Sequence, residues 1–177
     1  MSSVKFDKNG KPTSSGDMFL KLTGVTGESA DDSHRGEIDV VSWSWGIFGQ
    51  YDGYGGSNKA GKSRIKDIQI HKRVDKASVT LMSFCSTYRS VDAGTLTVRK
   101  AGSTALEYFK IELKRVLVKS VELQTHDSDV SESVTLGFGA IKLTYLPQSA
   151  TGAMGGGAVV FAADDLDAAI PPGGGGG

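Results

Sequence analysis

The sequence predicts a mainly β protein: a small antiparallel β-barrel carrying one packed α-helix. Apolar and polar side chains alternate with a period of two along six separate stretches, as half-buried strands require. Helical spacing of apolar residues, three or four apart, is convincing in one place, around residues 76–88. Strands on both sides of a single helix are not the βα alternation that builds a parallel doubly wound sheet. Long strands whose apolar parity changes midway bend, and bent antiparallel strands close into barrels.

Taken in order, residues 1–16 are polar and rich in Ser and Gly, which predicts a flexible leader ahead of a single domain over residues 17–162. In that leader Asp7-Lys-Asn-Gly10 reads as an Asn-Gly turn, because the rest of a calcium-loop pattern, its closing Glu included, is absent. Strands are expected over 18–22 and 38–45. In the second, alternation places Val41, Trp43 and Trp45 on one face and Val40, Ser42 and Ser44 on the other. The glycine-rich loop that follows, with Phe48, Tyr51 and Tyr54, would waste apolar surface in water and therefore predicts a partner surface. A third strand is expected over 65–72. The helix then places Ala77, Leu81, Phe84, Cys85 and Tyr88 on one face, with Cys85 inward, Asp75 or Ser78 as its cap and Arg89 at its negative end.

Further strands are expected over 96–100, 106–123 and 134–146. Phe109, Ile111 and Leu113 share one face, whereas Val116 and Val118 continue on the other parity, which predicts a bulge or bend near Arg115. The parity of Val134, Leu136 and Phe138 likewise changes across Gly139 to that of Ile141, Leu143 and Tyr145. A short strand near 158–161 precedes an acidic, glycine-rich tail over 163–177.

Composition narrows the function. The chain of 177 residues has 20 basic and 20 acidic side chains, so no net field favours nucleic acid, an anionic membrane or an acidic substrate. The single cysteine, Cys85, excludes an internal disulfide framework, and with three scattered histidines it makes no zinc cluster. No apolar signal region opens the chain and no segment approaches the roughly 18 apolar residues of a membrane helix, which predicts a protein soluble in the cytoplasm. Nucleophile elbows, Walker loops, dinucleotide fingerprints and metalloprotease helices are absent, and no cofactor is expected. His34, His71 and His126 read as solvated or structural residues, Asp127-Ser-Asp129 as a surface turn, and the glycines between 53 and 62 as a flexible loop and not a phosphate cradle.

In order along the chain stand Asp17-Met-Phe-Leu-Lys-Leu22, Gly27-Glu-Ser29, Glu37-Ile-Asp-Val-Val-Ser-Trp-Ser-Trp-Gly46, Val98-Arg-Lys-Ala-Gly102, Glu107-Tyr108, Val116-Leu-Val118 and Val134-Thr-Leu136. This set, over about residues 17–147, resembles the haemolysin-coregulated protein family, Hcp, the inner-tube subunits of bacterial type VI secretion systems. The resemblance implies a β-barrel with an attached helix that assembles into a hexameric ring. Rings stack into a hollow tube, driven out of the cell by a contractile sheath and capped by a spike protein, with effector cargo in the lumen. It implies export without a signal peptide and no catalysed reaction. The leader is longer than the family's, and the acidic, glycine-rich end departs from its short closing strand. The rival readings are a tube protein of another contractile injection machine and a monomeric glycan-binding β module.

The ring requires heterologous contacts, for which edge strands are natural places. By the resemblance the loop carrying Phe48, Tyr51 and Tyr54 takes part in ring stacking; the alternative is that these side chains fold back over their own barrel. Trp43 and Trp45 read as core or subunit-interface packing, the alternative being a carbohydrate platform. His126, Ser128 and Asp129, in the loop over 123–130, are the residues expected to meet cargo in the lumen.

Overall fold

The computed structural model describes residues 16–49, 63–100, 106–126, 129–147 and 155–164. The expected leader turn, Tyr51, Tyr54, the glycines between 53 and 62, Asp127, Ser128 and the glycine-rich tail lie outside the described residues. Among the described residues, nine strands and one helix follow in the order β1 (Gly16–Leu22), β2 (Ile38–Ser44), β3 (Ile47–Gly49), β4 (Ser63–Ile65), β5 (Ile68–Arg73), α1 (Lys76–Ser86), β6 (Ser90–Lys100), β7 (Glu107–His126), β8 (Asp129–Tyr145) and β9 (Val159–Ala163). Among the described residues no helix is long and apolar enough to cross a membrane.

The main sheet runs β5-β2-β1-β6-β7-β8-β9, and an extra pairing of β5 with β8 closes six of its strands into an antiparallel barrel. One edge of β8 is shared: β5 takes its first half, Ser131 to Leu136, and β9 its second, Ile141 to Tyr145. β3 and β4 form a separate two-stranded hairpin. Inward-facing aliphatics from every barrel strand, among them Leu20, Ile38, Ile70, Leu96, Ile111, Val118 and Leu136, make one continuous core with Leu81 and Phe84 of the helix.

The parity changes mark where the barrel turns. Arg115 adopts a left-handed φ of 50°, yet the pairs beside it, Lys114↔Ala140 and Val116↔Phe138, keep one register. The chain therefore bends there without inserting a residue, and Gly139 on β8 sits at the same level, its carbonyl accepting from the Arg115 guanidinium at 3.2 Å. An inserted residue does occur between Val118 and Ser120.

Three local readings change. On β2 a bulge between Val40 and Ser42 shifts the register, so Ile38 and Val40 before it and Trp43 and Trp45 beyond it all reach the core. Strict alternation had separated Val40 from the tryptophans. The stretch expected as one strand over 65–72 is broken at Lys66 and Asp67 into β4 and β5. Tyr88 leaves the helix at φ 53° and is exposed, because Arg89 N–H closes back on the Phe84 carbonyl at 3.0 Å and the helix ends at Ser86, two residues early. The Arg89 guanidinium lies 4.8 Å from the Phe84 ring centroid. At the other end both predicted caps act together: Asp75 accepts from Ala77 N–H, and Ser78 Oγ accepts from Asp75 N–H.

Candidate functional site

A charged cluster forms where the β1–β2 connection folds over the outer face of β1 and β6. Met18, Leu20 and Leu22 of β1 point into the barrel, so Asp17 and Phe19 point out. Register sets Asp17 opposite Arg99 on β6, and Arg99 opposite Glu107 on β7, one row across three strands. The connection lays Asp31 and His34 onto that row. Arg99 grips Asp31 with both terminal nitrogens and donates to Asp17 at 2.9 Å, while its guanidinium stands 5.0 Å from the Phe19 ring. His34 stacks on Phe19 with centroids 4.1 Å apart and planes 9° from parallel. Its Nδ1 lies 2.9 Å from Glu37 and its Nε2 3.2 Å from Glu107, which Lys110 also meets at 3.1 Å.

The connection takes this course because its glycines allow it. Gly36 has φ 74°, and a Cβ on Gly27 would sit 2.2 Å from the Glu37 carbonyl oxygen. Gly27 N–H donates to Gly36 O at 2.8 Å and Ser29 N–H to Glu37 O at 3.0 Å. The Arg99 hydrogen bond, helped by the Ser33 and His34 amides, holds the Asp31 carboxyl down to about 2 against the opposing pull of burial. Arg99 is correspondingly raised, first by Asp31. With its charges paired and no activated nucleophile beside a base, the cluster is a rigid clip. Among the described residues no group of His, Cys, Asp and Glu could hold a metal ion.

The residues singled out from the sequence sit on other elements. Trp43 packs against the core and stacks on Phe109 of β7 at 5.6 Å and 12°. Trp45 also packs against the core and tilts onto Phe161 of β9 at 6.2 Å, its Nε1 buried without a hydrogen-bond partner. Phe48 stands half-exposed on β3, beside exposed Ile47, with Lys66 Nζ 4.3 Å from its ring centroid. Backbones of His126 and Asp129 pair at the tip of the β7–β8 hairpin, where the Asp129 carboxylate lies exposed, 3.7 Å from Arg73. The structure thus pairs the His126 and Asp129 backbones and puts Trp43 on β2, Trp45 just after it and Phe48 on β3. In the main sheet, among the described residues, unpaired backbone edges include the outer edge of β9, with exposed Val159, Val160 and Phe161, and β7 beyond its last β6 partner, Leu117.

Sequence reasoning missed the roles of Asp31, Arg99 and His34. A signal was present, for Asp17, Gly27, Ser29, Glu37, Arg99 and Glu107 all lie in the scattered motifs that carried the family resemblance, and the fold gathers them at this one clip.

Residues 19–145 match the family model described as type VI secretion system effector, Hcp. The chain is 41% identical over 149 residues to protein Hcp1 of Pseudomonas aeruginosa, covering 82% of this chain and 92% of that protein. Among solved structures it superposes on Hcp1 of Salmonella typhimurium with a TM-score of 0.70 and 29% identity, covering 85% of this chain and 95% of that one. A type VI secretion system effector from Yersinia pestis gives a TM-score of 0.68 and 27% identity over 84% and 99% of the two chains. The family match takes in the capped helix and all of the closed barrel except the first three residues of β1, and the chain belongs to the Hcp family of type VI secretion proteins.

Proposed function

We propose that this chain is the structural inner-tube subunit of a type VI secretion system, closing six at a time into rings that stack, leave the cell with the tube and carry effectors in the lumen. The observation that carries the reading is the match to Hcp over residues 19–145, which spans the closed barrel except for the first three residues of β1. The surface is in keeping with it. A ring of identical subunits needs two different patches that meet head to tail, and β9 and distal β7 offer two different free edges. The exposed Ile47 and Phe48 hairpin is a third surface, suited to contact along the tube axis, and the polar tip at His126 and Asp129 suits a wall facing cargo.

On this reading the partners are further copies of the chain, a contractile sheath, a spike protein and cargo. The protein waits in the bacterial cytoplasm and is exported through the apparatus without a signal peptide, catalysing no reaction. Light scattering after size exclusion, with negative-stain images of the peak, tests it. The expected result is an annulus with about six times the 18.6 kDa mass of one chain. A monomer that persists at high concentration overturns the proposal.

A further inference from the structure

Ser78 uses its whole hydrogen-bonding capacity inside the protein. Its hydroxyl, in a residue 2% exposed, donates to Glu132 Oε1 at 3.0 Å and accepts from Asp75 N–H at 3.0 Å and from the Lys72 ammonium at 3.2 Å. A hydroxyl has one hydrogen to give and two lone pairs to fill, so nothing is left over. The three partners belong to three pieces of structure: Asp75 caps α1, Lys72 lies on β5 and Glu132 lies on β8.

The contacts around Ser78 draw the same pieces together. Lys72 and Glu132 stand directly opposite each other in the β5–β8 ladder that closes the barrel, and both are buried. The Lys72 ammonium, with three N–H groups, faces Glu132 Oε1, Asp75 Oδ1, Arg73 O and Ser78 Oγ. Asp75 Oδ1 accepts in addition from Ala77 N–H in the first turn of the helix. Only Val74 and Asp75 separate β5 from α1, and Val74 N–H carries the seam one step further, to Val130 O at 3.4 Å. The first turn has another tie, Lys76 N–H to Glu28 at 3.2 Å, but that contact is exposed, comes from the β1–β2 connection and does not touch the seam.

A helix cap needs no partner beyond its own helix, whereas this one is built into the ladder that closes the barrel. In a site shut off from water a lost partner is not replaced by solvent, so removing one group strands the others. We propose that Ser78 is a joint that makes docking of the first turn of α1 and closure of the β5–β8 seam one cooperative step. Unwinding of that turn and parting of the seam are a single opening, while the β6–β7 side of the barrel stays shut. The helix is thereby a latch on the barrel and not a separate lid.

Amide hydrogen exchange, followed by NMR on the full chain, tests whether a disturbance in the helix reaches the seam. Val79 is 74% exposed on α1, so Val79→Gly weakens the helix without touching the joint. Protection should fall about twofold at Ala77 and by the same factor across the ladder from Ile70↔Val134 to Arg73↔Ser131, with the β6–β7 ladder around Leu96↔Ile111 unchanged. Seam protection that does not change, or a loss that spreads equally to the β6–β7 ladder, overturns the proposal, and this variant alone decides the point. Ser78→Ala supplies the second arm: in that background Val79→Gly should lower protection in the helix and no longer in the seam. A seam that still loosens there overturns the assignment to Ser78.

Discussion

Lys72 and Glu132 show what the barrel tolerates in its interior. Both are fully buried and face each other across β5 and β8, and the Lys72 ammonium also donates to Asp75 at 2.7 Å, Arg73 O at 2.8 Å and Ser78 Oγ at 3.2 Å. Glu132 Oε2 has no hydrogen-bond partner, so Lys72 carries most of the compensation for that carboxylate. Lys72→Met should therefore cost about 3–5 kcal/mol in urea unfolding, and adding Glu132→Leu should recover most of it, because an apolar pair leaves no stranded charge. Asp31 makes the opposite case at the surface. Its folded value of about 2 lies below an unfolded value of about 3.9, so the folded state favours the carboxylate. The stability it gives is complete above about pH 4 and is lost as pH falls toward about 2. Urea midpoints measured against pH should fall less steeply in that window for Asp31→Asn than for the wild-type chain.

The β3–β4 hairpin stands outside the barrel and contributes no fully buried residue to it, so its loss should be separable from folding. Replacing Phe48 and Tyr51 together by Ser should leave rings intact while shortening or abolishing stacked tubes in negative-stain images; loss of the ring itself would place Phe48 in a different contact. The sequence reading took 65–72 as one strand, although the apolar parity changes between Ile65 and Ile68, across the break at Lys66 and Asp67. What was legible rests on periodicity. The helix, its double cap and the switching parity of β7 and β8 each follow from local spacing that burial enforces. The β2 bulge escaped because one inserted residue reverses every side chain beyond it, an event decided by the partner strand. The clip escaped for a related reason: Asp17 and Arg99 meet only through pairing of β1 with β6, and no local pattern links Asp31 or His34 to either.

At the scale of the molecule the barrel is closed on itself but not sealed. A closed six-strand circuit removes most backbone edges, and among the described residues the open edges of the main sheet include β9 and distal β7, two separate elements. That asymmetry suits head-to-tail closure, in which a mass near six subunits is a sharper outcome than a dimer, whose contact would be one patch meeting itself. The exposed valines of β9 would be an aggregation hazard on a free monomer and are covered if a neighbour lies there.

The pairing of β5 with β8 also sets a schedule for synthesis. β5 can find β2 as soon as both have emerged, but Ile68 must wait for Leu136, and the helix made in between lacks its seat on β7 until that strand too is out. At bacterial translation rates the wait is on the order of 3 to 13 s, during which one edge of the nascent sheet is open. The ribosome therefore holds an unclosed barrel for longer than many small domains take to fold, so a chaperone at the exit tunnel has a defined strand edge to guard.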